Sequence, residues 1–309
     1  MRKIRIALLA GGWSTERNIS LKSGAAVYRS LDKEKYDVVM YDPLTDLRSL
    51  MEAKGKVDLA FILLHGKFGE DGCIQGLLDM LCIPYVGSGV LSSAMAMNKK
   101  VAKEIYKHAG LTVGKDIVLK HGDDFSVNEI IAMLGTVTVV KPIADGSSLG
   151  ISLCENKKEL LSGIEKGFRH GDEVMVEKYI NGREVTCCVL GTLSLQALPL
   201  VEILPGEPYR FFDHEAKYKN GATREICPAS FSQPLAEKIQ ECAKSAHQAL
   251  KCSVWSRTDM IIRNENIYLL ETNTIPGMTE NSLFPIAAAA AGISFLELLD
   301  MLIMFSLNP

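Results

Sequence analysis

The sequence contains little of what disulfide-bonded, zinc-binding or nucleic-acid-binding proteins require. Its eight cysteines form no CxxC pair and no zinc-type spacing, and those in or beside apolar runs are typical of buried thiols in a reducing cytoplasm. Aromatic residues make up only 7% of the chain, the net charge is −3, and no basic run has aromatics interleaved with it. These absences argue against a nucleic-acid partner.

Long apolar runs are absent as well. The N-terminal MRKIRIALLAGG begins with positive charge, but its apolar part of about five residues is too short for a signal peptide. Residues 287–291 are apolar but end at Gly292, far short of the roughly 20 residues that span a bilayer. We therefore expect no membrane segment. A chain of 309 residues, 47% hydrophobic and 23% charged, indicates an ordinary globular protein of two or three domains.

The first part of the chain alternates predicted strands with predicted helices. An apolar strand over residues 4–9 runs into a glycine turn, a helical pattern covers residues 19–31, and further strands are predicted at 38–41 and 59–64. This order predicts a parallel α/β sheet. The glycines do not fit G-x-G-x-x-G, so they give no support for a dinucleotide site.

Polar residues follow the carboxyl ends of these strands, where ligands bind in parallel sheets. Glu16 follows the glycine turn and His65 follows the third strand. Each also has a structural interpretation, Glu16 as a first-turn residue favoured by the helix dipole and His65 as a satisfied histidine near the sheet edge. A short strand at 83–87 and one helix over 92–108, which carries Lys99, are predicted next.

The middle of the chain contains a candidate phosphate loop. A β-branched strand over 137–140 ends at Lys141, and a Gly/Ser-rich loop over 145–150 precedes another strand at 151–153. Backbone N–H groups, hydroxyls and one lysine can together hold phosphate oxygens. The loop is not a Walker A loop, and Gly-Ser turns are also common in hairpins.

Two glutamates flank the next pair of predicted strands. A strand over 174–176 leads into Glu177 and residues 178–180, and Glu184 precedes the strand at 185–190. A strand end with backbone groups beside an acidic residue can hold an adenine edge, and Glu184 can accept hydrogen bonds from ribose hydroxyls. The alternative is a pair of solvated strand-end glutamates.

Residues 205–221, PGEPYRFFDHEAKYKNG, are predicted to form a lid. The stretch is polar, contains aromatics and is too long for an ordinary connection. Lys217 and Tyr218 at its end could reach into a closed site, whereas the alternative is a surface loop with ordinary charges.

The stretch over 256–278 predicts a β-hairpin, since two apolar runs flank Asn264-Glu265-Asn266. A three-residue loop sets Arg263 opposite Ile267, and this register has a consequence for the open end. It places four polar residues on one face in two opposite pairs, Asp259 with Glu271 and Arg257 with Asn273. A two- or four-residue loop would instead separate Asp259 from Glu271.

This arrangement of oxygen ligands suits a metal ion. The carboxylates of Asp259 and Glu271 with the amide oxygen of Asn273 are hard ligands of the kind that Mg²⁺ prefers when it shares its shell with substrate phosphates. The alternative is a group of surface strand-end residues, with Arg257 pairing one of them. In the turn that follows, Gly277 could bring backbone N–H groups close to an anion.

The order of these motifs resembles that of the D-alanine–D-alanine ligases of the ATP-grasp superfamily over essentially the whole chain. The matching stretches are GGWSTER, LLHGKFGEDG, YVGSGVLSSAMAMNK, VVKPIADGSSLGIS, VEKYINGREVT, FFDHEAKY and SRTDMIIRNENIYLLETNTIPGMTENSL. The resemblance implies an α/β protein with an ATP-grasp fold and an N-terminal Rossmann-like parallel-sheet domain. It implies an N-terminal domain over 1–98, a central subdomain over 99–182, and a C-terminal subdomain over 183–309 that carries the lid and the metal hairpin.

The resemblance also implies roles for individual residues. The residues implied in catalysis are Glu16, Ser147, Lys217, Tyr218, Arg257 and Gly277. Those implied in binding the two D-alanines are His65, Ser282 and Leu283. The implied ATP-binding residues are Lys99, Lys141, Ser148, Glu177, Lys178, Tyr179, Ile180 and Glu184. The implied ligands of two Mg²⁺ ions, which Mn²⁺ could replace, are Asp259, Glu271 and Asn273.

The implied activity is ATP-dependent joining of two D-alanines through a D-alanyl phosphate, for peptidoglycan precursor synthesis. The expected partners are D-alanine and ATP, without nucleic acid or membrane, in a cytoplasmic homodimer. Two alternatives stay open: a related ligase that uses D-serine or D-lactate as second substrate, and a non-catalytic ATP-binding homologue. Tyr218 favours D-alanine as the second substrate.

The chain departs from the family pattern at a few positions. Asn98 precedes Lys99 where Asp is common, Ala144-Asp145 replaces Arg-Glu, His214 stands where Tyr is common, and Trp13 is a bulky residue in the first glycine turn. None of them removes a residue with an implied chemical role, so they bear on substrate affinity more than on the class of reaction.

Overall fold

The computed structural model describes residues 2–144, 150–206 and 223–308, apart from the side chain of Pro205. Three β-sheets follow one another along these residues. The predicted phosphate-loop residues Ser147 and Ser148 lie outside the described residues, as do Lys217 and Tyr218 of the predicted lid.

The first sheet has three parallel strands in the order β2-β1-β3. Its strands are β1 (Ile4–Leu9), β2 (Tyr36–Tyr41) and β3 (Leu59–Ile62), and its helices are α1 (Arg17–Ser30), α2 (Pro43–Met51), α3 (Cys73–Leu81) and α4 (Val90–Met97). The predicted parallel α/β arrangement is confirmed. The strand expected at 83–87 is reduced to one parallel bridge between Ala60 and Tyr85.

The helix predicted over 92–108 is wrong, because the chain breaks at Asn98 into α4 and α5 (Lys99–His108). Asn98 has an extended backbone, and its side chain accepts a hydrogen bond from the Val101 N–H at 3.1 Å. Asn is a strong N-cap because its side chain satisfies a free N–H of the first turn. The break leaves Lys99 at the start of α5, where its N–H donates to the carbonyl of Ile143 at 3.0 Å.

The second sheet is antiparallel, with the order β4-β7-β5-β6. Its strands are β4 (Asp116–Lys120), β5 (Thr138–Pro142), β6 (Ser152–Cys154) and β7 (Glu173–Lys178), accompanied by α6 (Val127–Leu134) and α7 (Lys157–Phe168). Apolar side chains of both helices and of the sheet form one buried cluster. One face of the sheet is thereby covered, while Val139 and Lys141 of β5 line the cavity described below.

The third sheet is antiparallel and has the order β11-β10-β8-β12-β13, with β9 paired to β8. Its strands are β8 (Arg183–Gly191), β9 (Gln196–Ala197), β10 (Val201–Pro205), β11 (Thr223–Ile226), β12 (Val254–Arg263) and β13 (Asn266–Asn273). The helix α8 (Gln233–Ala249) packs on β8 and β12. The long central strand β12 pairs with β8 on one side and with β13 on the other.

The C-terminal helices α9 (Leu283–Ala290) and α10 (Phe295–Leu307) tie the third sheet to the first. Trp255 of β12 is fully buried and meets the rings of Phe61 and Phe284 edge-on, at centroid distances of 6.4 Å and 5.4 Å. Helix α10 packs against β3 and begins with a capping box between Ser294 and Glu297. The start of β12 is therefore held in the same core as the first sheet.

The same two helices are rich in apolar residues. In the described ranges no single helix is long and apolar enough to cross a membrane. Helices α9 and α10 meet that test only as a pair, and the pair is bent by 103°. Their inner side chains, including Phe284, Leu298 and Leu302, are fully buried.

The packing around Trp255 predicts a large effect of Gly87→Ala. Gly87 has φ +102°, and an added Cβ would lie 2.8 Å from Nε1 of Trp255. Left-handed strain and overpacking together should lower the free energy of unfolding by about 2–4 kcal/mol, measured by urea denaturation followed by circular dichroism. Gly110→Ala is the control, since Gly110 has φ +75° with nothing within 4 Å, and it should cost only about 1 kcal/mol. Equal losses of unfolding free energy in both variants would contradict the close packing of Gly87 against Trp255.

Candidate active site

The open end of the β12–β13 hairpin has the predicted register. Asp259 is the partner of Glu271, and Arg257 is the partner of Asn273. Because side chains alternate along strands, these four residues share one face. Thr258 and Thr272 occupy the other face and bond each other at 3.0 Å. That face is fixed to α5, because the Tyr106 hydroxyl donates to Thr272 at 2.7 Å.

The closed end of the hairpin differs from the prediction of a three-residue loop. Arg263 pairs with Asn266, so the loop has two residues, and both have left-handed φ values, 48° at Asn264 and 62° at Glu265. This is the pattern of a type I′ turn, which matches the twist of a hairpin.

A β-bulge restores the register that a two-residue loop alone would have lost. Asp259 pairs with Glu271 while the next residue, Met260, pairs with Leu269, so Leu270 is the extra residue. A bulge shifts the alternation by one position. As a result Leu270 and Glu271, which are adjacent in sequence, both line the cavity.

The hairpin carboxylate Asp259 is fully engaged by neighbouring donors. Arg257 donates to it through two nitrogens, each at 2.8 Å, and the Thr186 hydroxyl donates at 2.6 Å. The pairing of Arg257 with one of the acids, which belonged to the alternative interpretation, is therefore present, and the acid is Asp259. The amide oxygen of Asn273 accepts from the Ile275 N–H at 2.8 Å, which fixes its orientation.

The lysines of the cleft are also paired with carboxylates. Lys141 forms an ion pair with Glu177, and Lys99 lies 3.4 Å from Glu271. Burial lowers the pKa of Lys141, but the Glu177 carboxylate more than offsets this effect and leaves it raised. Burial raises the pKa of Glu177, yet the nearby Lys141 and Lys103 hold it below the ordinary value. Both members of this pair are therefore charged near neutral pH.

A cavity that is partly open to solvent lies between the second and third sheets. Most of the predicted ATP- and metal-binding residues line it, namely Lys141, Glu177, Lys178, Tyr179, Ile180, Glu184, Asp259 and Glu271. Besides Ile180, its apolar side chains are those of Val139, Ile151, Ile261 and Leu270. An apolar surface combined with charged side chains suits a ligand that has a flat ring and an anionic tail.

The first sheet contributes a second polar group around His65. Nε2 of His65 is buried and has no hydrogen-bond partner among the described residues. Burial lowers the pKa of this histidine, the Glu16 carboxylate opposes that effect, and the Arg257 charge adds to it. The structure thus brings Glu16 and His65 into the electrostatic range of the hairpin. A buried polar atom without a protein partner is a ready contact for a ligand.

Glu70 is a buried acid in this group that the sequence analysis did not single out. Its Oε2 accepts the Gly66 N–H at 2.6 Å. Burial raises its pKa to about 8, the charge of Glu16 adds to the rise, and the Gly66 N–H opposes it. A lone glutamate in a Gly-rich loop gives no sequence signal of burial, which is why it was missed.

The predicted cradle for the second carboxylate lies at the start of α9. Ser282 is the N-cap residue and Leu283 the first helical residue. The Ser282 hydroxyl accepts from the Thr279 N–H at 3.0 Å, and a Cβ at Gly277 would lie 3.0 Å from that hydroxyl oxygen. Free N–H groups and the helix dipole at such a terminus favour an anion.

The donor set of the hairpin fits a hard cation, since it combines two carboxylates with an amide oxygen. Within residues 2–144, 150–206 and 223–308, no three His, Cys, Asp or Glu side chains meet at a point that would hold a metal ion. A cation bound by Asp259, Glu271 and Asn273 would therefore need ligand oxygens besides these, as substrate phosphates supply.

An apolar slot between two antiparallel sheets, lined also by Lys141, Lys178 and the acids Glu177, Asp259 and Glu271, is the arrangement of an enzyme of the ATP-grasp class. Two family models match the chain, one described as D-ala D-ala ligase N-terminus at residues 42–88 and one as D-ala D-ala ligase C-terminus at residues 105–304. The chain belongs to the D-alanine–D-alanine ligase family.

Individual relatives agree with the family models over the full chain. A D-alanine–D-alanine ligase of Syntrophobacter fumaroxidans is 53% identical over 306 residues, covering 99% of this chain and 98% of that protein. The structure of the Bacillus anthracis D-alanine–D-alanine ligase complexed with ATP superimposes with a TM-score of 0.87 at 37% identity, covering 99% and 98%. The structure of VanG D-Ala:D-Ser ligase from Enterococcus faecalis gives 0.84 at 34% identity, covering 99% and 100%.

The buried Glu70 predicts a pH dependence of stability. Its pKa of about 8 in the folded state lies above the ordinary 4.5, so between these values the folded state keeps a proton that the unfolded state has lost. The stabilisation is therefore complete below about pH 4.5 and is lost as the pH rises to about 8. Glu70→Gln should flatten the decline of the unfolding free energy between about pH 5 and 8, by up to about 1 kcal/mol per pH unit. Glu52→Gln, at an exposed position, is the control and should follow the wild type; an unchanged slope in Glu70→Gln would contradict the burial of this acid.

Proposed function

We propose that this protein joins two D-alanines to D-alanyl-D-alanine, converting ATP to ADP and phosphate through a D-alanyl phosphate, for peptidoglycan precursor synthesis. The observation that carries the proposal is the cavity between the second and third sheets. It gathers an apolar slot, a lysine and the hairpin acids in a chain of the D-alanine–D-alanine ligase family.

ATP binds in this cavity in the proposed complex. The adenine lies against the apolar lining beside residues 177–180, and Glu184 accepts hydrogen bonds from the ribose. Lys99 and Lys141 contact the phosphates, which replace Glu271 and Glu177 as their partners. We include Ser148 among the phosphate contacts because the family resemblance implies that role. The phosphate charge supports this exchange, because a lysine leaves one anion only for another that attracts it at least as strongly.

Two Mg²⁺ ions, or Mn²⁺ in their place, would be held by Asp259, Glu271 and Asn273 and would offset the phosphate charge. Arg257, which donates to Asp259 through two nitrogens in the structure, would release that carboxylate for a cation. Its guanidinium would then stabilise the charge that develops at the reacting centre.

The two D-alanines bind next to the hairpin. Glu16 holds the ammonium of the first D-alanine and His65 lies at its carboxylate, which attacks the γ-phosphoryl group of ATP. Lys217 lies near the transferred phosphoryl group in this proposal, and Ser147 and Tyr218 link Glu16 to the lid.

The amine of the second D-alanine then attacks the activated carbonyl. Arg257 and the backbone at Gly277 stabilise the oxyanion, a contribution of roughly 3 to 4 kcal/mol for a single donor of this kind. Ser282 and Leu283 hold the second carboxylate at the N-terminus of α9. A closed lid keeps water from the acyl phosphate.

Three further features are proposed from family membership. We propose domain boundaries at 98/99 and 182/183, a homodimer, and a cytoplasmic location. The last is supported by the cysteines, since all eight are free thiols, as expected in a reducing compartment.

The direct test is phosphate release from Mg·ATP with D-alanine, L-alanine or no amino acid, combined with mass spectrometry of the product. We expect release only with D-alanine and a dipeptide product. D-Serine and D-lactate are added as competitors, because the likeness to a D-Ala:D-Ser ligase makes D-serine the second candidate. ATP binding without phosphate release would contradict the proposed reaction. A product that contains D-serine or D-lactate would show that the second substrate is not D-alanine alone.

The metal assignment predicts a specific loss in Glu271→Gln. The amide keeps the size of the side chain but removes the charge that a divalent cation needs, so Mg²⁺-dependent turnover should fall at least about a hundredfold. The melting temperature should fall somewhat, because Lys99 loses the Glu271 charge, but the circular dichroism spectrum should remain that of the folded protein. Glu265→Gln, in the exposed turn of the same hairpin, should keep wild-type turnover. Activity of Glu271→Gln near the wild-type value would refute the assignment.

A further inference from the structure

Lys103 of α5 is a buried lysine that the proposed mechanism does not use. It lies one helical turn after Lys99, and its side chain is only 1% exposed. An ammonium group has three N–H donors, and each has an acceptor here: the Gly114 carbonyl at 2.8 Å, Asp116 at 2.8 Å and Glu177 at 2.5 Å. Lys103 is absent from the lining of the cavity, so it is placed to act on the cavity wall rather than on a ligand.

The sheet itself explains why a cation is needed at this position. Asp116 of β4 and Glu177 of β7 are direct cross-strand partners in the second sheet. Like charges in such a pair repel each other and destabilise the sheet. The Lys103 ammonium contacts both carboxylates and thereby converts a repulsive pair into a bridged one.

Glu177 connects this buried lysine to the cavity. One carboxylate oxygen faces Lys103 and the other faces Lys141, and both Glu177 and Lys141 line the cavity. The result is a charge network of four residues that starts in the wall and ends at the proposed phosphate contact: Asp116, Lys103, Glu177 and Lys141.

In the proposed complex, nucleotide binding changes this network only at its Lys141 end. When Lys141 turns to a phosphate, Glu177 loses that cation while remaining buried. A buried carboxylate left without a cation is strongly destabilising. Lys103 cannot follow Lys141, because Gly114 and Asp116 hold its other two donors, so it remains as the counter-charge of Glu177.

We propose that Lys103 is a positioning residue for ATP binding, which fixes the Glu177 carboxylate and compensates its charge while Lys141 binds phosphate. This inference rests on the proposed function, in which Lys141 is a phosphate contact. It assigns to α5 two lysines with different tasks, Lys99 at the ligand and Lys103 behind the wall.

The test compares Lys103→Met with Lys107→Met. Lys107 is the matched control, since it lies one turn further along α5 and comes within 3.9 Å of the same Asp116, but it is 45% exposed and pairs mainly with Glu104 at 2.6 Å. The measurements are the Kd of ATP by calorimetry without D-alanine, the KM of ATP, the KM of D-alanine and the melting temperature.

We expect Lys103→Met to raise the Kd and KM of ATP by about tenfold or more, because it leaves Glu177 without its fixed cation. The KM of D-alanine should stay within about twofold, and Lys107→Met should match the wild type. An unchanged ATP affinity in Lys103→Met, or an equal rise of both KM values, would overturn the proposal.

A second comparison separates positioning from folding. In a Glu177→Gln background there is no carboxylate charge to compensate, so adding Lys103→Met should change the Kd of ATP by no more than about twofold. Removing one positive and one negative charge together leaves the net charge of the network unchanged and puts no uncompensated carboxylate at position 177, which keeps the test available if Lys103→Met alone does not fold. If Lys103→Met raised the Kd of ATP by the same factor with Glu177 and with Gln at position 177, or by a clearly larger factor with Gln, Lys103 would not act through Glu177.

The binding measurement also distinguishes the two proposals. Wild-type protein that binds ATP but releases no phosphate with D-alanine would refute the proposed function and leave the Lys103 comparison intact. Normal ligation with an ATP affinity that does not depend on Lys103 would refute only the inference.

Discussion

The cleft depends on one constraint, that its buried charges must compensate one another. Lys141 pairs with Glu177, Lys99 with Glu271, and Arg257 with Asp259. Buried ions without partners are costly, so these pairs hold the side chains in place before any ligand arrives. A ligand with phosphate groups and a divalent cation supplies both signs of charge at once. Binding can then proceed as an exchange of partners, in which no buried group is left alone.

The fold brings these pairs together from distant parts of the chain. Helix α5 and the second sheet supply the lysines and Glu177, while the β12–β13 hairpin supplies the remaining acids and Arg257. Two supports keep the hairpin in position. The face that carries Thr258 and Thr272 is bonded to Tyr106 of α5, and its first strand is fixed at Trp255 in the core of the first sheet. The group around Glu16 and His65 is thereby held within reach of Arg257.

Much of this arrangement follows from sequence because its signals are local. Apolar periodicity predicts the parallel sheet and the two strands of the hairpin, and the pairing of Asp259 with Glu271 is confirmed. The loop length was wrong, and the correct pairing survives only because a bulge at Leu270 compensates, which no local pattern reveals. Asn98 offered a capping signal, but the helical pattern on both sides obscured it. Lys103 could not be found at all, since its main partner lies 74 residues away and a buried lysine has the same sequence signature as a solvated one.

The exchange of charge partners is tested most directly by a crystal structure of the protein with Mg²⁺ and a non-hydrolysable ATP analogue. We predict that Lys141 leaves Glu177 for a phosphate oxygen, that Arg257 gives up its two-nitrogen contact with Asp259, and that Lys103 keeps its contact with Glu177. Lys141 still paired with Glu177 beside a bound nucleotide, with the phosphates held elsewhere, would contradict this description of the cleft.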